Sequence, residues 1–128
     1  MRLLLDTHVA IWAVSDRAKL RADVIETIAT APVVFVSMAS IWEIAIKHRG
    51  GRSDAPPFGP AEAQNEFAAA EFRILPIEIE HLVAVTTLPR LHADPFDRLI
   101  VAQALTASLQ LISGDPKVLS YSPTFSGC

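Results

Sequence analysis

A single cysteine, Cys128, stands in a chain of 128 residues, so no intrachain disulfide can form and no cysteine-based zinc site can be built. That scarcity fits a reducing, cytoplasmic setting. Long hydrophobic runs are missing too. No stretch approaches the ~18 apolar residues of a membrane span, and Asp6 interrupts Met1-Arg2-Leu3-Leu4-Leu5 before a signal-peptide core develops. The expectation is a soluble, unsecreted protein with no membrane partner. Positive charge is short as well. The 11 Lys and Arg against 14 Asp and Glu give a net charge of -3, which excludes nucleic-acid binding by bulk charge and leaves it to a local basic stripe. Internal repeats, low-complexity tracts and interdomain linkers are not found. Apolar residues, at 51%, are plentiful, enough for one domain over residues 1–128 that buries roughly two thirds of its unfolded surface without a staple.

The segments alternate in kind, which points to α/β architecture. Arg2–Leu5 reads as a strand, followed by helices about His8–Val14 and Leu20–Thr30 on either side of the turn-like Ser15-Asp16-Arg17. Pro32 resets the pattern. The β-branched run Val33-Val34-Phe35-Val36 predicts a buried strand ending at Ser37, and Ser40–Arg49 is helical up to Gly50-Gly51. Gly51–Pro60 reads as a loop, Ala61–Glu71 as a helix, Phe72–Ile77 as the third strand and Ile79–Thr87 as a helix closed by Leu88-Pro89. Asp94-Pro95-Phe96-Asp97 then supplies an N-cap, a proline at the first helical position and an acid in the first turn of a helix that runs through Leu109. Gln110–Ser113 is the last strand, and Gly114-Asp115-Pro116 turns into a short helix ending at Tyr121. The polar tail Ser122–Cys128 leaves its pairing as an edge strand open.

Short apolar strands that alternate with helices form a parallel sheet covered on both faces, and such sheets place their sites beyond the strands' carboxyl ends. Acids fall there. Asp6 follows the first strand, Glu43 lies on the helix after the second, Asp115 follows the last, and Asp97 opens the helix that leads into it. Each has a local explanation: Asp6, Asp94 and Asp115 can cap helices, Asp97 can complement a helix dipole, and Glu43 can pair with Lys47 at i,i+4. Glu43 is the hardest to explain locally, because Trp42 and Ile44 flank it on a largely apolar helix. If the acids converge, carboxylates ~4 Å apart repel by ~4 kcal/mol each at an effective dielectric of 20, and a divalent cation removes the conflict. An all-oxygen cluster favours Mg²⁺ or Mn²⁺ over zinc, and such ions serve phosphoryl chemistry.

Four spaced motifs carry a family resemblance: Leu3-Leu4-Leu5-Asp6-Thr7-His8, Ser40-Ile41-Trp42-Glu43-Ile44-Ala45-Ile46-Lys47, the run from Asp94-Pro95-Phe96-Asp97-Arg98 to Ala104, and Ser113-Gly114-Asp115. In this order they resemble the PIN domain, and within it the VapC-type toxins of bacterial toxin–antitoxin pairs. The resemblance spans Leu3 to about Tyr121. It implies a three-layer α/β sandwich with a central parallel sheet flanked by helices. The implied activity is that of a Mg²⁺- or Mn²⁺-dependent endoribonuclease whose metal-holding, catalytic acids match Asp6, Glu43, Asp97 and Asp115. Asp94 belongs to the same motif and ranks below these, since capping suffices to explain it. The implied partners are a VapB-type antitoxin, an RNA substrate and a second copy of the chain.

Thr7 and Ser113 match small hydroxyl positions beside the acids, where they hold water or phosphate or else bond locally to backbone. Lys47-His48-Arg49 with Arg52 is the densest basic patch, a candidate for RNA phosphates through Lys47 and Arg49 or a helix-end complement to the dipole. His8 and His92 lack metal-ligand spacing and read as ordinary polar residues, and Trp12 and Trp42 read as core. The competing function is a non-catalytic PIN-like binding module whose acids are caps or a dock for basic peptide. A phospho-acceptor enzyme built on Asp6 fits less well, because His8 stands where a haloacid-dehalogenase-type site wants a second Asp.

Overall fold

The computed structural model describes residues 1–128, and its layers follow from one short strand. In β1 (Arg2–Leu5) successive side chains point to opposite faces, so Leu3 and Leu5 enter one apolar cluster and Leu4 the other. Its neighbours repeat the division. Val34 and Val36 of β2 (Val33–Ser37) and Ile112 of β4 (Gln110–Ile112) join the first cluster, while Phe35 and Leu111 join the second. With β3 (Arg73–Leu75) outside β2, the strands are all parallel in the order β3-β2-β1-β4.

A parallel sheet that is apolar on both faces needs a helical layer on each. The first layer holds α1 (Thr7–Ser15), α2 (Ala22–Thr30) and α4 (Pro60–Ala69), which contribute Val9, Val24 and Phe67 to the first cluster. The second holds α5 (Ile79–Thr87), α6 (Pro95–Ala107) and α7 (Pro116–Leu119), which contribute Val85, Val101 and Val118. Helix α3 (Met38–Arg49) touches both, through Ile44 and Ala39. This is the three-layer sandwich that the alternation and the resemblance implied.

Some boundaries move for local reasons. α3 starts at Met38 rather than Ser40 because the Ser37 hydroxyl caps it, accepting the Ala39 amide at 3.0 Å. A 3₁₀ turn over Arg17–Lys19 delays α2 to Ala22. α6 stops at Ala107, where Ser108 turns left-handed at φ 55°. β3 is shorter than Phe72–Ile77, since Glu71 turns at φ 65° just ahead of it and Pro76 brings no amide after it. The tail pairs after all: Ser126 gives its amide to Leu111 O at 2.9 Å and receives the Ser113 amide at 3.0 Å.

Candidate active site

Strand order reverses at β1, with β2 and β3 to one side and β4 to the other, and parallel sheets bind ligands in the crevice outside the carboxyl ends at such a point. Asp6 leaves β1 into that crevice and caps α1, its Oδ1 accepting the His8 amide at 3.4 Å. The Ser113 hydroxyl, at the end of β4, donates to Asp6 Oδ2 at 2.5 Å and accepts the Asp115 amide at 3.0 Å. Asp115 in turn caps α7, with Oδ1 on the Lys117 amide at 2.9 Å. α6 brings the motif acids: Asp94 Oδ1 caps by accepting the Asp97 amide at 3.0 Å, and Asp97 projects from the first turn. From α3 comes Glu43, only 2% exposed, whose Oε1 takes the Thr7 hydroxyl at 2.6 Å and whose Oε2 takes Lys47 Nζ at 2.5 Å.

Asp6, Glu43, Asp94, Asp97 and Asp115 line one open cleft of about 580 Å³, together with His8, Trp12, Lys47 and His92. A separate, more enclosed cavity of about 270 Å³ has mostly apolar walls, Leu20, Ile28 and Phe72 among them. Its lining holds a single acid, Glu71, where the cleft gathers five. The carboxylates are concentrated in the cleft.

The acids perturb one another. Burial pushes the Asp97 carboxyl up, the neighbouring Asp6, Asp94 and Glu43 push it further, and the pull of His92 is too weak to prevent a rise to about 7. Burial also raises Asp6 and outweighs the hydroxyl of Ser113. At Asp115 burial is overcome by the Lys117 amide and by His92, which hold it below the usual carboxylate range. Burial would lower the Lys47 ammonium, but Glu43, Asp94 and Asp97 hold it above its ordinary value. Negative charge is in excess here. A divalent cation fits this donor set: Asp97 and Asp115 each offer an oxygen within 4.8 Å of one another, and the crowded Asp97 gains most from added positive charge.

The structure brings the anticipated acids together and sorts the lesser candidates. Thr7 and Ser113 are buried behind Glu43 and Asp6 and orient them. The basic patch divides: Lys47 faces the cleft, His48 turns to Pro56 O at 3.0 Å, Arg52 pairs with Asp54 at 3.6 Å, and Arg49 is exposed outside the cleft lining. Trp42 is not core. It is 59% exposed and meets Phe96 edge-on, with ring centroids 5.1 Å apart.

His92, read from the sequence as an ordinary polar residue, has its Nε2 2.9 Å from Asp97 Oδ2 and 2.8 Å from Asp115 Oδ2. Its loop is stapled by Arg98, which donates to the carbonyls of Val85, Pro89 and His92 at 3.1, 3.1 and 3.4 Å, and by Tyr121, which donates to Pro89 O at 2.9 Å. No sequence spacing announces this arrangement. The usable signal was the Arg in Asp-Pro-Phe-Asp-Arg, one turn from the acids and free to reach back over the preceding loop.

With the geometry in place, the family is settled: the model of the PIN domain matches residues 3–121, and the chain belongs to the PIN domain family. Solved structures agree in fold. VapBC2 from Rickettsia felis, bound to a DNA fragment from their promoter, superposes with a TM-score of 0.71 at 14% identity, covering 100% of this chain and 98% of that one. VapBC-1 from nontypeable Haemophilus influenzae gives 0.66 at 17% identity over 100% and 97%. A toxin–antitoxin complex from Klebsiella pneumoniae gives 0.62 at 18% identity over 96% and 94%. No curated protein matches the chain.

Proposed function

We propose that this chain is a VapC-type toxin, a Mg²⁺- or Mn²⁺-dependent endoribonuclease that hydrolyses RNA phosphodiesters until a VapB-type antitoxin covers its cleft. One observation carries the reading: Asp6, Glu43, Asp97 and Asp115, drawn from four separate elements, converge in an open cleft at the strand-order reversal. Capping explains Asp6 and Asp115 singly, and the helix dipole Asp97, but neither explains their convergence. Glu43 caps nothing and is buried with both oxygens engaged.

In this reading Asp6, Asp97 and Asp115 hold the ion, and Glu43 completes the acidic wall. When bound, the ion supplies a water of lowered pKa and positive charge against the scissile phosphate. The chain's own groups aim the acids. Ser113 fixes Asp6, the Lys117 amide and His92 fix Asp115, and Thr7 with Lys47 fixes Glu43. Lys47 also puts a cation on the cleft wall, where an incoming phosphate needs one in a protein of net charge -3. The likeness to VapBC complexes and the excess of carboxylates together support a basic antitoxin side chain entering the cleft, and a homodimer is part of the same proposal.

The test is RNA cleavage by the purified chain with Mg²⁺ or Mn²⁺, repeated in excess EDTA and with Asp6→Asn and Asp97→Asn. The amides keep the shape and lose the charge, so cleavage falls to background in both variants and in EDTA. Cleavage at the wild-type rate in either variant removes the site assignment. Expression with and without the neighbouring reading frame tests the toxin role. Harmless overexpression together with no ribonuclease activity transfers the assignment to a non-catalytic binding module.

A further inference from the structure

The geometry points to His92 as a positioning residue that holds Asp115 beside Asp97, its Nε2 donating to Asp115 and lying close against Asp97, and not as a ligand of the ion. This rests on the metal-site reading above. The three donor atoms, His92 Nε2 and one oxygen from each acid, lie close enough to share a single ion. The opposite ring nitrogen decides between the roles. His92 Nδ1 lies 3.3 Å from the backbone nitrogen of Asp94, an N–H that can only donate, so Nδ1 keeps its lone pair for that contact. A neutral imidazole then carries its hydrogen on Nε2, which donates to Asp115 Oδ2 at 2.8 Å and lies 2.9 Å from Asp97 Oδ2. Metal ligation through Nε2 would move the hydrogen to Nδ1 and set it against the Asp94 N–H. Ligating histidines do the opposite, donating their second N–H to an acceptor.

The backbone supports the same role. Arg98 grips the His92 carbonyl at 3.4 Å and the Pro89 carbonyl at 3.1 Å, so the imidazole is mounted from behind. Its hydrogen bond to Asp115 and its contact with Asp97 link the cap of α7 to the first turn of α6. Without this bridge the two carboxylates repel across the cleft, and nothing else in direct contact joins them. Partners of this kind are typically worth 10–100-fold in metal affinity.

Three measurements on the full chain test the role. Ring ¹⁵N NMR of the metal-free protein at pH 8 reads the tautomer, and the hydrogen is expected on Nε2 of His92. Mn²⁺ titration followed by EPR is expected to show affinity lowered 10–100-fold in His92→Ala and largely restored in His92→Gln, whose side-chain amide places donors where Nε2 lies. Spin-echo modulation of the bound Mn²⁺ is expected to show no directly coordinated imidazole nitrogen. A hydrogen on Nδ1, a coordinated-nitrogen signal that disappears in His92→Gln, or unchanged Mn²⁺ affinity in His92→Ala overturns the positioning role and leaves the metal site standing. Wild-type protein that binds no Mn²⁺ overturns the metal reading itself, and this role with it.

Discussion

Replacing Asp97 by Asn in the metal-free protein should stabilise it, although the substitution abolishes the proposed activity. Asp97 is half-buried beside Asp6, Asp94 and Glu43, and its carboxyl is pushed from 3.8 to about 7. In the unfolded chain the same group titrates near its ordinary value. Between these two points the native state holds a proton that the unfolded state has released, so stability falls as pH rises, by about 1.4 kcal/mol per pH unit. Below about pH 4 the carboxyl is neutral in both states and carries no penalty. Above about pH 7 the full penalty is present, about 4 kcal/mol as an upper figure. Asn keeps an oxygen for the His92 donor at a cost of roughly 1 kcal/mol in bond strength, so the net gain at pH 8 is about 2–3 kcal/mol, or on the order of 10 °C in Tm. The assay is thermal unfolding in EDTA from pH 4 to pH 8. Wild type should lose Tm steadily across that range while Asp97→Asn stays flatter, the two meeting near pH 4. His92→Asn, run alongside, removes the imidazole in contact with Asp97 and should keep the wild-type slope. Equal Tm values for wild type and Asp97→Asn at pH 8 would refute the reasoning.

Two further outcomes follow from the same geometry. Mg²⁺ or Mn²⁺ at 100 times its Kd should stabilise the wild type by about 2.7 kcal/mol and leave Asp97→Asn nearly unchanged; a wild-type melting curve that does not move while calorimetry shows binding would mean the cleft is not preassembled. Arg98→Lys should cost roughly 2–4 kcal/mol in urea unfolding, because an ammonium cannot reproduce a planar fork that reaches three carbonyls and the Tyr121 hydroxyl. A loss below about 0.5 kcal/mol would show that the loop carrying His92 is held by other contacts.

Much of the fold could be read in the sequence because its signals are local. Val33–Val36 is a β-branched run after a proline, and Asp94-Pro95 is a cap followed by the one residue suited to the first helical turn. Such features fix an element regardless of what packs against it. Asp6 and Asp115 were legible for a related reason: each follows a strand, and in a parallel sheet the strand ends share one side. What could not be read depends on contacts between distant residues. The separation of 23 residues between His92 and Asp115 says nothing about their meeting. Tail pairing depends on a single bridge to Ile112, with no alternation in the tail to announce it. Trp42 reads as core because large aromatics usually are, but a helix turns 100° per residue, so Trp42 points away from the side on which Ile44 is buried.

The bridge made by Ser126 also limits how this protein can associate. An open sheet normally offers its outer strands to other chains, which add to it as further strands. Here one border is β4, where Ser126 already occupies the Leu111 carbonyl and the Ser113 amide, and the other is β3, three residues long with an exposed Arg73 at its start. Neither border has room for a foreign strand of useful length. Strand addition is disfavoured at both borders, whereas on α3 the exposed Met38, Trp42 and Ile46 fall four residues apart as a single apolar seam, with Trp42 packed on Phe96, the residue before Asp97.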